Sequence, residues 1–269
     1  MNLVFAAAVW ALAPAFVVSF ELFPSKRVLM VRAVLALIML VFTVAGWMAQ
    51  EPAAWLPLGL CLVFFPVKDK FFKYDLERSL WMHLIIYAFF IAMSYGMNHV
   101  AGFVWRVSQA EPTNVWWVWQ TLAFTLILGS LTLGFSKRRR GTFLPPSPEG
   151  GFTPLYIIHG PVWSALNAIA EELFFRGALL TAGSALAHGN LWQALIFAAY
   201  HVCFGYRPIG VVGAFLTGVW AFWLGWLTLS TGSLIPAILF HLIADVFIYF
   251  WWGRMETRKN GATTSLFNW

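Results

Sequence analysis

The sequence predicts an all-α fold: a polytopic transmembrane helical bundle of about nine spans, with eight as the alternative count. The 269 residues are 61% hydrophobic and only 10% charged, whereas an average soluble domain has about 25% charged residues. Mean hydropathy is +0.75 over the whole chain, so one water-soluble core could not enclose all the apolar side chains. These side chains also fall in runs long enough to cross about 30 Å of hydrocarbon as helices.

Nine apolar runs are the candidate spans. Six are continuous and cover 3–20, 33–49, 80–97, 115–135, 209–229 and 233–252. Three are weaker: 53–67 contains two prolines, 155–181 contains two glutamates, and 191–206 contains a histidine. No basic residue precedes the first run and no small-residue cleavage site follows it, so we predict a retained helix there rather than a signal peptide.

Lysine and arginine residues predict the orientation of the bundle, because cytoplasmic loops carry an excess of them. Clusters follow the first, third, fifth, seventh and ninth spans: Lys26, Arg27 and Arg32; Lys68, Lys70, Lys73 and Arg78; Lys137 to Arg140; Arg207; and Arg254, Arg258 and Lys259. The loops on the other side hold only Arg106. This pattern places the N-terminus outside and the C-terminus in the cytoplasm. The expected location is a bacterial inner (plasma) membrane.

The chain divides into four predicted parts. Residues 1–144 form a scaffold of transmembrane helices, 145–154 a cytoplasmic connector rich in proline and glycine, 155–252 a second helical unit, and 253–269 a cytoplasmic tail. The two cysteines, Cys61 and Cys203, lie far apart in apolar runs and cannot form a disulfide framework. No nucleic-acid-binding motif is visible, so the lipid bilayer is the expected partner of the basic clusters.

Ionisable residues inside predicted spans are concentrated in the second helical unit. A charge inside a membrane costs several kcal/mol by most estimates, so each such residue is a functional hypothesis. At 1.5 Å of rise per residue, Glu171, His201, His241 and Asp245 lie about 12 to 18 Å below the outer ends of their spans. Glu172 and Arg176 follow Glu171 in the same span. The candidate site residues are therefore Glu171, Glu172, Arg176, His201, His241 and Asp245.

Helical spacing pairs these residues, since side chains four apart lie on one face. The predicted pairs are Glu172 with Arg176 as an ion pair, Phe197 with His201, and His241 with Asp245; Ser164, Asn167 and Glu171 form one polar stripe. Such a stripe suits a cavity that contains water. A carboxylate in a pocket of low dielectric can act as a general base, and a neighbouring imidazole can hold the same water. A second imidazole can stabilise the oxyanion that forms when a carbonyl is attacked.

Three motifs in this unit resemble those of a known family. Glu171-Glu172-Leu173-Phe174-Phe175-Arg176 matches EExxxR, Phe197-Ala198-Ala199-Tyr200-His201 matches FxxxH, and His241-Leu242-Ile243-Ala244-Asp245 matches Hxxx(N/D). Together they resemble the CPBP family of intramembrane glutamic proteases, which includes the Ras-converting CAAX prenyl endopeptidases. The resemblance covers roughly 155–250.

The resemblance implies a metal-independent endopeptidase, without a cofactor, that acts on a membrane-anchored protein or peptide. Glu171 with His201 would activate water, His241 with Asp245 would support the oxyanion, and Glu172 with Arg176 would shape the site. Asp245 departs from the prenyl-protein branch, which usually has Asn there. An ionised Asp cannot donate a hydrogen bond to an oxyanion, so Asp245 would need to be protonated or to act by orienting His241. Bacterial relatives with Asp here are linked to other membrane-tethered substrates, sorting-signal processing and bacteriocin immunity.

Other classes of function remain open. A zinc-dependent membrane hydrolase could use Glu171, His201, His241 and Asp245 as ligands, although no HExxH motif is present. A non-catalytic immunity or scaffold protein is a further alternative. A proton-coupled transporter is disfavoured, because transporters commonly have repeats in both halves and the first half here holds almost no ionisable residue inside its spans. The oligomeric state stays open.

Overall fold

The structure is a computed structural model that describes residues 26–48, 115–135, 154–183, 188–203 and 210–259. It also describes eleven isolated helical residues: Leu12, Phe16, Gly59, Cys61, Leu62, Tyr87, Ala88, Phe89, Ile91, Ala92 and Tyr95. Within this part of the chain all regular structure is helical and no strand occurs. The predicted all-α class is therefore confirmed for the described residues. The spans 3–20, 53–67 and 80–97 are described only at the isolated positions.

Seven α-helices and one π-helical segment make up the continuous described ranges. They are α1 Lys26–Met48, α2 Val115–Phe135, α3 Pro154–Glu172, the π segment Leu173–Leu179, α4 Leu180–Gly183, α5 Gly189–Cys203, α6 Gly210–Thr231 and α7 Ile235–Lys259. α3, the π segment and α4 follow one another without a break and together occupy the predicted span 155–181.

Two helices extend beyond the apolar runs that predicted them. α1 begins at Lys26, so its first turns carry Lys26, Arg27 and Arg32, which the sequence placed between spans. α7 continues to Lys259, past the predicted end at 252. An apolar run marks only the part of a helix that faces lipid, whereas backbone hydrogen bonds can continue into polar sequence. The predicted connector lies outside the described residues except for Pro154, the first residue of α3, and the tail lies outside them beyond Lys259.

Among the described residues, one helix is long and apolar enough to cross a membrane by itself, at Val212–Thr231. Shorter apolar stretches occupy Met30–Gly46, Val118–Leu131 and Ile235–Phe250. The span formed by α3, the π segment and α4 contains three charged side chains, Glu171, Glu172 and Arg176, which lower its hydropathy. All three are candidate site residues. The nine-span count and the orientation stay predictions.

The helices of the second unit pack as two pairs, α5 against α6 and α3 against α7, with α2 lying on α6 and α7. Glycine allows the closest approaches. A Cβ at Gly160 of α3 would lie 2.7 Å from the Tyr249 ring of α7, and one at Gly225 of α6 would overlap the Asn190 side chain. Trp220 and Trp223 of α6 donate hydrogen bonds to Thr125 and Thr121 of α2 at 3.2 and 3.3 Å. These bonds connect the first half of the chain to the second.

The π segment begins at the third residue of the EExxxR motif, Leu173, and is buried in the core. Leu180 N–H donates to Phe175 O, five residues back, and all seven residues of the segment are buried. Phe175 packs edge-on against Phe174 and against Phe197 of α5, with ring centroids 4.9 and 4.7 Å apart. π-helical turns are rare and occur frequently at functional sites. Here the turn follows directly after Glu171 and Glu172.

Candidate active site

Three helices bring the predicted site residues together. Glu171 and Glu172 end α3, Arg176 lies in the π segment, His201 lies near the end of α5, and His241 and Asp245 lie on α7. All six belong to one network in which each side chain lies within 3.9 Å of another member. Glu171, Glu172, Arg176, His241 and Asp245 are buried, and His201 is 12% exposed.

Glu171 faces both imidazoles. Its Oε1 accepts a hydrogen bond of 2.9 Å from the Tyr200 hydroxyl. Its Oε2 lies 3.9 Å from His201 Nε2 and 3.7 Å from His241 Nε2. These separations are too long for direct hydrogen bonds, yet each can be bridged by a water molecule that lies about 2.8 Å from both atoms. The arrangement can therefore hold water between a carboxylate and two imidazoles.

The backbone of α5 orients His201. Nδ1 of His201 donates to Phe197 O at 2.9 Å, because a carbonyl oxygen can only accept. In a neutral ring the lone pair is then on Nε2, the atom that faces Glu171. The Phe197 ring lies under the imidazole with centroids 4.2 Å apart, as the spacing of four residues predicted. His201 can accordingly accept a hydrogen bond from a water molecule bound at Glu171.

One carboxylate oxygen of Glu172 accepts two hydrogen bonds. Its Oε1 accepts from Arg176 at 2.8 Å and from His241 Nδ1 at 2.6 Å. The first contact is the predicted ion pair within one helix. The second was not predicted, because it crosses from α3 to α7. It fixes the hydrogen of His241 on Nδ1 and turns Nε2 toward Glu171 and Asp245.

Arg176 is enclosed by α5 and α6 as well as by Glu172. Its guanidinium donates to Ala221 O at 3.2 Å and lies 4.5 Å from the centroid of the Phe197 ring. Ala221 O also accepts from Gln193 at 3.1 Å. The cation is buried against an aromatic face and a backbone acceptor, which lowers the cost of holding it away from water.

Asp245 is placed by its predicted partner His241 and by a hydrogen-bonded series of Asn167 and Tyr87 that the sequence did not connect with it. Its Oδ1 lies 3.6 Å from His241 Nε2, and its Oδ2 accepts from Asn167 Nδ2 at 2.8 Å. Asn167 Oδ1 in turn accepts from the Tyr87 hydroxyl at 3.1 Å. Tyr87 belongs to the predicted span 80–97, so the first half of the chain contacts the site directly.

A cavity of about 60 Å³ lies beside His201, His241 and Asp245. It has room for a few water molecules, each of which needs at least about 10–15 Å³. The rest of its wall comes from α2, α6 and α7: Thr125, Leu128, Gly129, Leu216, Thr217, Trp220, Ala244 and Ile248. Apart from the site residues the wall is mainly apolar, so the cavity can accept a neutral or apolar group next to the polar cluster.

Within the described part of the chain no group of three His, Cys, Asp or Glu side chains has the arrangement of a metal site. The donor atoms of Glu171, His201, His241 and Asp245 are nevertheless of the types that zinc binds. The functional test below therefore includes a chelator, which distinguishes zinc-dependent from metal-independent hydrolysis.

Comparison with known families gives a match over part of the chain. Residues 153–247 match the family described as type II CAAX prenyl endopeptidase Rce1-like. This segment resembles the CAAX proteases. The match confirms the resemblance predicted from the three motifs and covers the described elements from α3 to α6 and about half of α7. The Rce1-like family consists of integral membrane proteases. Comparison with curated proteins and with solved structures gives no significant match.

The sequence did not reveal the side chains that hydrogen-bond to the site residues from outside the specified motif positions. Tyr200 lies inside the FxxxH motif at one of its unspecified positions, and its hydroxyl contacts Glu171. A tyrosine one residue before a motif histidine is a signal that could have drawn attention to it. Nothing in the sequence connects Tyr87 with Asn167, eighty residues away.

Proposed function

We propose that the protein is an intramembrane glutamic endopeptidase that hydrolyses a peptide bond in a membrane-anchored protein or peptide. The observation that carries the proposal is the position of Glu171 Oε2, within 3.9 Å of the Nε2 atoms of His201 and His241, which both line a cavity of about 60 Å³. The match to the Rce1-like family supports peptide-bond hydrolysis in a membrane. The bacterial inner membrane is the proposed location.

Glu171 is the general base of the proposed reaction. It takes one proton from water while His201 Nε2 accepts a hydrogen bond from the water's other O–H, which stays intact, and the oxygen attacks the carbonyl carbon of the peptide bond. The same carboxyl then gives its proton to the amine that leaves when the C–N bond breaks. Tyr200 keeps Glu171 Oε1 occupied, so that Oε2 is the oxygen directed at the water.

His241 and Asp245 stabilise the oxyanion in this mechanism. His241 presents Nε2 to the reacting region because Nδ1 is bound to Glu172. As an imidazolium it donates from Nε2 to the negative oxygen that forms on attack. Such preorganised donors contribute several kcal/mol of transition-state stabilisation. Glu172 and Arg176 act by holding His241.

The proposal is tested by turnover of a fluorescence-quenched, prenylated peptide with a C-terminal CAAX sequence in detergent. Glu171→Ala and His201→Ala should each lower turnover about 10²- to 10⁴-fold, the range typical for loss of a general acid or base. Glu256→Gln is the matched control, because that residue lies about 16 Å farther along α7 than Asp245. Full activity in either site variant would refute the assignment.

A chelator separates the proposal from zinc-dependent hydrolysis. Wild-type turnover in EDTA should equal turnover without it. Loss of activity in EDTA that added zinc restores would assign the same residues to a metal site. Absence of cleavage together with retained biological function of Glu171→Gln would instead indicate an immunity or scaffold protein.

A further inference from the structure

The buried cluster has more carboxylates than cations. Glu171, Glu172 and Asp245 are 4%, 0% and 5% exposed, and Arg176 is the cation among them. With neutral imidazoles the group would hold two uncompensated negative charges, and burying unpaired charge is strongly unfavourable. Two protons bring the cluster to neutrality. His241 is the natural site for the first, since Nδ1 faces Glu172 and Nε2 faces both Glu171 and Asp245.

The second proton has three possible sites: Glu171, Asp245 and His201, whose Nε2 faces Glu171. The inference rests on the proposed function here, because in that mechanism Glu171 is unprotonated before the reaction and His201 Nε2 accepts a hydrogen bond from the water. These two requirements leave Asp245. Its oxygens are not equivalent: Oδ2 accepts from Asn167 Nδ2, so a proton on Asp245 belongs on Oδ1. Oδ1 is the oxygen beside His241 Nε2, and both residues line the cavity.

The orientation of Asn167 decides which oxygen of Asp245 accepts. An amide can present either its NH₂ or its carbonyl to a neighbour, and only its other contact distinguishes the two orientations. The Tyr87 hydroxyl donates to Asn167 Oδ1, and because a phenol is a better donor than acceptor, this contact favours the orientation with the NH₂ toward Asp245. If the amide turned over, its oxygen would accept from Asp245 Oδ2–H, and the proton would point away from the cavity.

We propose that Tyr87, acting through Asn167, is a positioning residue that keeps a proton on Asp245 Oδ1, where Asp245 donates a hydrogen bond to the oxyanion. Asp245 then performs as a neutral acid what an asparagine amide performs with its NH₂. Two hydrogen bonds, from Tyr87 to Asn167 and from Asn167 to Asp245, connect the first half of the protein to α3 and then to α7. The first half therefore supplies part of the catalytic geometry as well as a scaffold.

Infrared difference spectroscopy on the full-length protein tests the proton directly and needs no substrate. The difference between wild type and Asp245→Asn should contain the carbonyl stretch of a protonated carboxyl group. That band should shift in Tyr87→Phe and in Asn167→Leu. It should stay in place in Tyr249→Phe, which also removes a buried tyrosine hydroxyl that bonds between α3 and α7, through His159. A spectrum without the band, or a band that Tyr87→Phe leaves unmoved, overturns the proposal.

Kinetics with the prenylated peptide test the consequence. Tyr87→Phe should lower kcat about 3- to 10-fold with KM unchanged, the effect expected for one hydrogen bond that acts in the transition state. Tyr249→Phe should stay within about two-fold of wild type. Asp245→Ala should lower turnover more than Asp245→Asn, because the NH₂ of the asparagine can take the place of the acid proton.

A double variant separates positioning from general loosening of the fold. Adding Tyr87→Phe to Asn167→Leu should cause no further loss of kcat, because the proposal assigns the effect of Tyr87 on kcat to its bond with Asn167. A full additional loss, or an equal loss of kcat in Tyr249→Phe, overturns the proposal. Failure of the proposed function gives a different result: turnover would persist in Glu171→Ala, whereas the infrared bands still decide where the proton of Asp245 lies.

Discussion

The Glu172–Arg176 pair gives a prediction that separates stability from activity. Glu172→Gln keeps an oxygen for His241 but leaves the Arg176 guanidinium, 1% exposed, without its counter-ion. Breaking a buried pair in this way costs about 3–5 kcal/mol. We therefore expect the free energy of unfolding to fall by about that amount, measured by chemical or thermal unfolding in detergent with tryptophan fluorescence.

Glu172→Gln/Arg176→Met should recover most of this stability. The double variant contains no unpaired charge, and Ala221 O keeps its hydrogen bond from Gln193. Replacing a buried ion pair by neutral or apolar groups of similar volume is often neutral or stabilising. Turnover should remain about 5- to 10-fold below wild type, because His241 Nδ1 now donates to a neutral amide and charge-assisted hydrogen bonds are roughly twice as strong.

Equal instability of the single and double variants would refute this reasoning, since the cost would then come from packing rather than from unpaired charge. Full activity of the double variant would show that the charge of Glu172 has no effect on His241. Arg176→Met alone is the matched control. It leaves Glu172 bonded to His241, so its unfolding free energy should fall less than that of Glu172→Gln.

Three further predictions follow from single contacts. Tyr200→Phe removes the donor to Glu171 Oε1 and should lower kcat about 10-fold or more in the peptide assay, with KM and the unfolding midpoint nearly unchanged; a selective rise in KM would contradict it. Gly225→Ala places a methyl group on the Asn190 side chain and should reduce the unfolding free energy by about 1–3 kcal/mol; an unchanged unfolding curve would mean that the two helices separate freely. Gly129→Leu fills open space in the cavity wall and should raise KM several-fold without reducing stability; an unchanged KM would place the substrate elsewhere.

The motif pairs within one helix could be predicted from the sequence. Glu172 with Arg176 at 2.8 Å, His241 with Asp245 at 3.6 Å and Phe197 under His201 all occur at a spacing of four residues. This spacing follows from the 3.6-residue period of the α-helix, so no tertiary information is needed. The run 115–135 likewise coincides with α2, because that segment contains no charged residue and Lys137 to Arg140 follow shortly after it.

Contacts between helices were decided by the tertiary structure alone. The sequence paired His241 with Asp245, yet its shortest contact is to Glu172 of another helix, at 2.6 Å. Tyr200 on Glu171 and Tyr87 on Asn167 were not foreseen for the same reason. Period and hydropathy determine which residues share a helix face and about how deep they lie. How each helix rotates and crosses its neighbours depends on close packing at positions such as Gly160 and Gly225, and that packing selects which faces meet.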